Sequence, residues 1–329
     1  MTNMMVLQLA ALTGLHWNAQ VSQTSASLRG LKAVSPEVVW ASGTQGTFLR
    51  TIDGGAHWQS GTVAGAETLD FRDVEALDAD TAYLLASGEG AKSRVYKTTD
   101  GGAHWGLLLT NPDDKGFFDD IALGDEKHGI LLGDPVERQF VIYTTADGGD
   151  TWQRRPTPLA LDDEGAFAAS GTSLVMRGMN DAWFATGGPG GGRVFRTHDG
   201  GRTWHVAKTQ LGGTKTAGVF SLAFSDGKHG VAVGGDYQNP KATEHTVALT
   251  RDGGKTWEAA AGLSYRSCVA WLGKGALVAV GTEGSDVSHD GGKTWTHFSD
   301  LNLNAVAGSG GMVWAVGPKG TIVKLAGEH

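Results

Sequence analysis

The sequence predicts an all-β fold, a seven-bladed β-propeller of four-stranded antiparallel blades whose last blade is closed by the N-terminal strand. Three observations carry this. One eight-residue box recurs six times at blade-length spacing, an apolar stretch ending in Gly recurs seven times, and the final repeat stops before its box. Internal self-similarity at this period is the signature of a repeat architecture.

The box reads Ser/Thr-x-Asp-x-Gly-x-Thr/His-Trp and occurs as Thr51 to Trp58, Thr98 to Trp105, Thr145 to Trp152, Thr197 to Trp204, Thr250 to Trp257 and Ser288 to Trp295. Each is expected to be a tight turn between strands. Asp53, Asp100, Asp147, Asp199, Asp252 and Asp290 accept turn amides, and the glycines supply φ > 0. Trp58, Trp105, Trp152, Trp204, Trp257 and Trp295 open the next strand and pack between blades. Six copies of one Asp in six blades favour a structural over a ligand-binding role.

The second repeat fixes the blade number. VVWASG (Val38 to Gly43), YLLASG (Tyr83 to Gly88), GILLG (Gly129 to Gly133), AWFATG (Ala182 to Gly187), GVAVG (Gly230 to Gly234), ALVAVG (Ala276 to Gly281) and MVWAVG (Met312 to Gly317) each read as a buried second strand. After the seventh, GTIVKL (Gly320 to Leu325) supplies a third strand, but no box or fourth strand follows. WNAQV (Trp17 to Val21) is a strand entered by a Trp, as each strand after a box is, and pairing it with the chain's end closes the ring and hides a sheet edge. One propeller is therefore expected over 15–329. Residues 1–14 are expected to be a signal peptide or an unstructured start, because the apolar run Met4 to Leu15 has the length of a signal core but no Lys or Arg precedes it.

Composition narrows function mainly by exclusion. With 51 Gly, 8 Pro and 11 Trp, the 329 residues suit many short strands and tight turns. A formal charge of −8 disfavours a general nucleic-acid binder, which needs excess cations to displace counterions. No apolar run reaches transmembrane length. Lone Cys268 can form neither an internal disulfide nor a cysteine zinc site. Neither a HExxH pattern nor a P-loop is present, GGPGGGR (Gly187 to Arg193) reads as a loose hairpin, and no metal or cofactor is expected.

The boxes resemble the Asp-box, or BNR, repeat of bacterial sialidases, sortilin-type receptors, xyloglucan-degrading glycosidases and the photosystem II stability/assembly factor family. LRGLKAV (Leu28 to Val34) followed by VVWASGTQGTFLRTIDGGAHW (Val38 to Trp58) is similar to the first blade of the last of these, a single seven-bladed ring, and weaker similarity covers essentially the whole chain. That resemblance implies a non-enzymatic binding or assembly scaffold with a protein partner. A monomer and a secreted or periplasmic location are the expectations, with a cytoplasmic one left open.

Candidate site residues come from the strands expected to line the channel: Ser27 to Val34, Asp70 to Leu77, Phe117 to Leu123, Gly165 to Gly171, Gly218 to Phe224, Tyr265 to Trp271 and Asn302 to Gly308. Arg29, Arg72, Asp119 and Asn304 fall at one position, Asp73, Asp120 and Ser221 at the next, and Arg266 one residue from the slot. Three arginines near a concave face could hold a carboxylate-bearing ligand. Alternatively, Arg29 and Arg72 pair with Asp73, Asp119 and Asp120 and keep the channel neutral.

The alternative function is a glycoside hydrolase acting on an anionic or neutral glycan. Resemblance to sialidases would make Arg29, Arg72 and Arg266 the triad, Tyr265 the nucleophile, Glu164 or Glu75 its partner and Asp73 the acid, while a two-carboxylate glycosidase would use Asp73 with Asp120. Two facts oppose the sialidase version. Those enzymes resemble six-bladed rings, and adjacent Tyr265 and Arg266 should point to opposite sheet faces. Connections longer than a simple hairpin are expected at Arg154 to Glu164, Ala207 to Gly218 and Asp236 to Thr246, where Tyr237 and Lys241 are available for contact.

Overall fold

The computed structural model describes residues 14–327 apart from Lys274, so the expectation for the first residues lies outside it. Seven four-stranded antiparallel sheets are present. The innermost strands of blades 1 to 7 are Leu28–Ala33, Phe71–Ala76, Phe118–Leu123, Leu174–Arg177, Ala217–Phe224, Cys268–Gly273 and Ala305–Ser309. The seven apolar-Gly stretches form the second strands, all almost wholly buried. Their Val, Leu and Ala side chains fill the space between adjacent blades, where burial contributes about 25 cal/mol per Å².

Closure is as expected, shifted by one residue. His16–Gln20 pairs with Ile322–Ala326, with His16 opposite Ala326 and Gln20 opposite Ile322. Val21 falls outside the strand and is exposed. Two tryptophans clasp this outer strand to its neighbours. Trp17 Nε1 donates to Ser285 Oγ in blade 6 at 3.0 Å, and Trp58 Nε1 of blade 1 donates to Gln20 Oε1 at 2.9 Å.

The boxes behave as turns. In the first, Thr51 Oγ1 donates to Asp53 Oδ1 at 2.8 Å and accepts the Gly55 amide at 2.9 Å, while Asp53 Oδ1 accepts the His57 amide at 2.9 Å. Gly54 and Gly55 sit at φ 70 and 88, conformations that favour glycine. The same bonds recur in the other five boxes. Donors converging on one carboxylate hold it low: amide and ring bonds from His104 bring Asp100 to about 2, and the hydroxyl and amide of Thr151 bring Asp147 to about 2.

Blade 4 differs from expectation. Its innermost strand is Leu174–Arg177, paired with Asp181–Ala185, and Gly165 to Gly171 is not a strand of the ladder. The apolar alternation of GAFAA imitates a strand, but the segment spends its polar groups elsewhere. Ala166 N donates to Asp134 Oδ1 of blade 3 at 3.0 Å, Ala168 O accepts Arg72 Nη1 of blade 2 at 3.4 Å, and Ser170 Oγ donates to Ser267 O of blade 6 at 2.9 Å. Phe167 stacks on Phe220 of blade 5 with centroids 3.9 Å apart. A segment touching blades 2, 3, 5 and 6 lies across the channel and plugs it. The connection from blade 3 to blade 4 thus runs beyond Glu164 and reaches Leu174.

Candidate functional site

The plug separates two recesses. The mouth at the C-terminal ends of the inner strands is mainly apolar, lined by residues such as Leu31, Leu123, Met176, Phe224 and Trp271, with Lys32 Nζ 2.7 Å from Glu75 Oε2. Glu75 therefore lies at the opposite mouth from Arg29 and Arg72. The mouth at the N-terminal ends carries Arg29, Arg72, Asp119, Asp134, Phe117, Phe220 and Tyr237, floored by Ala166 to Ala169, in a cavity of about 390 Å³.

Inner-strand geometry explains which side chains reach this second mouth. In blades 1, 2, 3 and 5 the strand register slips by one residue, at Arg29, Arg72, Asp119 and Phe220. A bulge re-aims the extra side chain, and all four line this mouth. The next residue instead turns toward the neighbouring blade. Asp73 Oδ2 accepts Ile121 N of blade 3 at 2.8 Å, Asp120 Oδ2 accepts Leu174 N and Ser173 Oγ of blade 4 at 2.9 Å, and Ser221 Oγ accepts Val269 N of blade 6 at 3.0 Å. These bonds staple the ring from inside, and a hydrogen bond between neutral groups contributes about 0.5–1.5 kcal/mol. The sequence set Arg29, Arg72, Asp119 and Asn304 at one position; the first three share the bulge, with Asp73, Asp120 and Ser221 at the next position, whereas Asn304 precedes the unbulged strand Ala305–Ser309.

The expected partners of the arginines are corrected. Arg29 and Arg72 pair with Asp70, not with Asp73, Asp119 or Asp120: Arg72 Nε lies 2.8 Å and Arg29 Nε 3.6 Å from Asp70 Oδ2. Asp73 and Asp120 are withdrawn into the blade interfaces by the bonds above. Two guanidiniums therefore share one carboxylate, each side chain about 30 % exposed. Burial, and then the like charge of Arg72 against the attraction of Asp70, leaves Arg29 lowered from its ordinary value. Asp70, which sequence alignment passed over, is the residue that organises this shelf; its place two residues before Arg72 was the available signal.

Arg266 does not join them. It is buried in blade 6, where Nε donates to Asp286 Oδ2 at 2.7 Å and Nη1 donates to Tyr265 O at 2.9 Å. The adjacent Tyr265 packs edge-on to Phe220 at 4.9 Å, and both residues precede the inner strand, which begins at Cys268 and not at Tyr265, so the expected alternation between sheet faces does not apply to them. Burial raises Tyr265 to above its ordinary range. Glu164 is buried and ion-paired with Arg193, Nε to Oε1 at 2.7 Å, and does not pair with Tyr265. Asn304 Nδ2 donates to Leu28 O at 2.7 Å and joins blade 7 to blade 1.

Asp73 and Asp120 do come together, but in direct side-chain contact and not at the separation of about 5–10 Å that a paired-carboxylate glycosidase needs. Burial first, and the neighbouring carboxylate second, push Asp73 well above the carboxylate range, while burial pushes Asp120 up to about 6. Both are 2 % exposed or less, and Gly171 of the plug lies so close to Asp73 that any side chain there would collide with its carboxylate. The pair supports the ring beneath the plug rather than facing the mouth.

A BNR/Asp-box repeat family model matches residues 286–297, around the last box. No curated protein matches the chain. Among solved structures, YCF48 bound to D1 peptide aligns with a TM-score of 0.65 and 17 % identity, covering 95 % of this chain and 97 % of that one. YCF48 from Cyanidioschyzon merolae aligns with a TM-score of 0.65 and 19 % identity over 94 % and 98 %. The WD40 propeller domain of Doa1 aligns with a TM-score of 0.62 and 13 % identity over 95 % and 98 %.

The chain is a propeller of seven blades that carries the Asp-box motif. At these identities the neighbours share its fold, and the likeness extends to a WD40 propeller. The resemblance expected from the sequence, to propellers of the photosystem II stability/assembly factor type, agrees with the YCF48 alignments.

Proposed function

We propose that this chain is a non-enzymatic scaffold that captures a segment of a protein partner on the N-terminal mouth, where Arg29 and Arg72 meet the segment's carboxylates. The observation that carries the reading is the shared Asp70: two half-buried guanidiniums with one carboxylate between them leave donors such as Arg29 Nε without a partner on a concave face, and a bidentate carboxylate answers that arrangement. The connections before blade 4, before blade 5 and within blade 5 border the same mouth, contributing Glu164, Lys215 and Tyr237. Long connections on a rigid scaffold are the usual place for recognition. YCF48, which shares the fold, has been seen with a peptide bound.

Affinity capture from native lysate tests the reading. Wild-type protein is expected to retain a partner that Arg29→Ala and Arg72→Ala release by roughly tenfold or more, the loss of a charge-assisted contact, with a melting curve checking that each variant is folded. Equal capture by the variants would overturn the arginine assignment. Turnover of chromogenic sialosides or other glycosides that Asp73→Asn abolishes would overturn the scaffold reading and favour the hydrolase.

A further inference from the structure

Beside the arginine shelf, the same mouth holds a feature of opposite sign. Asp119 is 1 % exposed, lines the cavity, and its Oδ2 has no hydrogen-bond partner. Asp134, half-buried on the second strand of the same blade, lines the cavity next to it and holds the Ala166 amide through Oδ1. A buried carboxylate oxygen without a donor is costly, about 1–3 kcal/mol or more for a charged group, and a donor brought by a ligand would offset that cost.

The protein's own cations do not. Arg72 is engaged by Asp70 and the Ala168 carbonyl, and Lys215 is tied to Asp163 at 2.9 Å. Among the described residues no group of three His, Cys, Asp or Glu side chains is placed to hold a metal ion. The walls are aromatic: Phe117, Phe167 and Phe220, with exposed Tyr237 at the edge. Acid at the bottom and aromatic rings on the sides suit a cation on a long apolar stem, since methylenes pack along rings while the charged tip reaches a carboxylate.

We propose that Asp119 and Asp134 receive the charged end of a lysine or arginine side chain from the captured segment. This rests on the scaffold reading and adds specificity to it. The mouth reads a basic residue and a carboxylate a few ångströms apart, and a wholly acidic segment would leave Asp119 unsatisfied.

Proton linkage accompanies binding. Burial and the charges of Asp134 and Asp120 raise the Asp119 carboxyl, against the pull of Arg72. Arg29 and Asp70 at the shelf, and Lys115, Arg138, Asp162, Asp163, Glu164 and Lys215 around the rim, are the other charged groups bordering the mouth. An arriving cation favours the ionised acid, so binding releases a proton.

The test uses the whole chain and blocked pentapeptides, Ac-Ala-Phe-Lys-Ala-Ala-NH2, its arginine twin and its Nε-acetyl-lysine twin, titrated by calorimetry in buffers of differing ionisation enthalpy. Lysine and arginine peptides are expected to bind roughly tenfold or more tightly than the acetylated twin, with proton release, and Asp119→Asn is expected to erase both. That near-isosteric change removes the titratable carboxyl, and a melting curve checks that the variant folds. Equal affinities for the charged and acetylated peptides, no binding of any, or a lysine preference kept by Asp119→Asn would overturn the proposal. Both peptide ends are blocked, so such a failure leaves the arginine-dependent capture of the partner to stand on its own test.

Discussion

Aspartates at the rim and at the centre of this ring are chemically the same and physically opposite. In the boxes, Asp100 and Asp147 are surrounded by amides and hydroxyls in water, and their carboxyls are held near 2. In the inner ring, Asp73 and Asp120 accept fewer bonds and lie against each other in a dry interface, and their carboxyls are raised. Donor supply decides the rim; burial decides the centre. A rim Asp thus fixes a local turn, whereas a central Asp joins blades that are distant in sequence.

The sharpest way to break the contrast is at the plug. Gly171 adopts φ 67 against the Asp73 carboxylate, so Gly171→Val forces both a strained backbone and a collision. A loss of about 3 kcal/mol is expected in denaturant unfolding, and an unchanged midpoint would show that the plug is not seated there.

Next comes pH. Asp120 binds its proton more tightly in the fold than in the unfolded chain, so its contribution is full below pH 3.8 and is lost as pH rises through about 6. Asp120→Asn keeps an acceptor for Leu174 N and is expected to flatten the decline in stability over that window. A decline of wild-type size in the variant would reassign it to other acids.

The boxes slope the other way. Asp252 is held at about 2, so its contribution is present above pH 3.8 and lost as pH falls through 2. Asp252→Ala is expected to lower the melting temperature at neutral pH by only about 2–4 °C, because one of six independent turns is removed. A drop as large as that of Gly171→Val would mean that the boxes do more than close hairpins.

Legibility in the sequence followed the same division. Boxes, second strands and ring closure were readable because each is a local pattern repeated at fixed spacing, and the unpaired third strand at Gly320 to Leu325 demanded a partner. The bulge series at Arg29, Arg72 and Asp119 was readable because it recurs in register. What failed depended on partners without sequence proximity. Arg266 matches the arginine slot by composition, yet Asp286, on the third strand of its own blade, draws it inward. GAFAA resembles an inner strand until the carbonyl of Ser267 and the rings of Phe220 and Phe167 are placed together. Asp70 could be recognised only after both arginines were seen to converge on it.

The pairing of His16–Gln20 with Ile322–Ala326 has a temporal consequence. Six blades can form in order during synthesis from contacts within one blade and with the blade before. The seventh must wait until strands some 300 residues apart are both available, and domains are made N-terminal first. Until then His16–Gln20 has no ladder partner, Trp58 lacks the Gln20 carbonyl it binds in the ring, and the edge of Ile322–Ala326 is open to any passing strand. The step that turns an arc into a ring is thus the last and the longest-range, and it is where an assembling copy is most exposed to pairing with another.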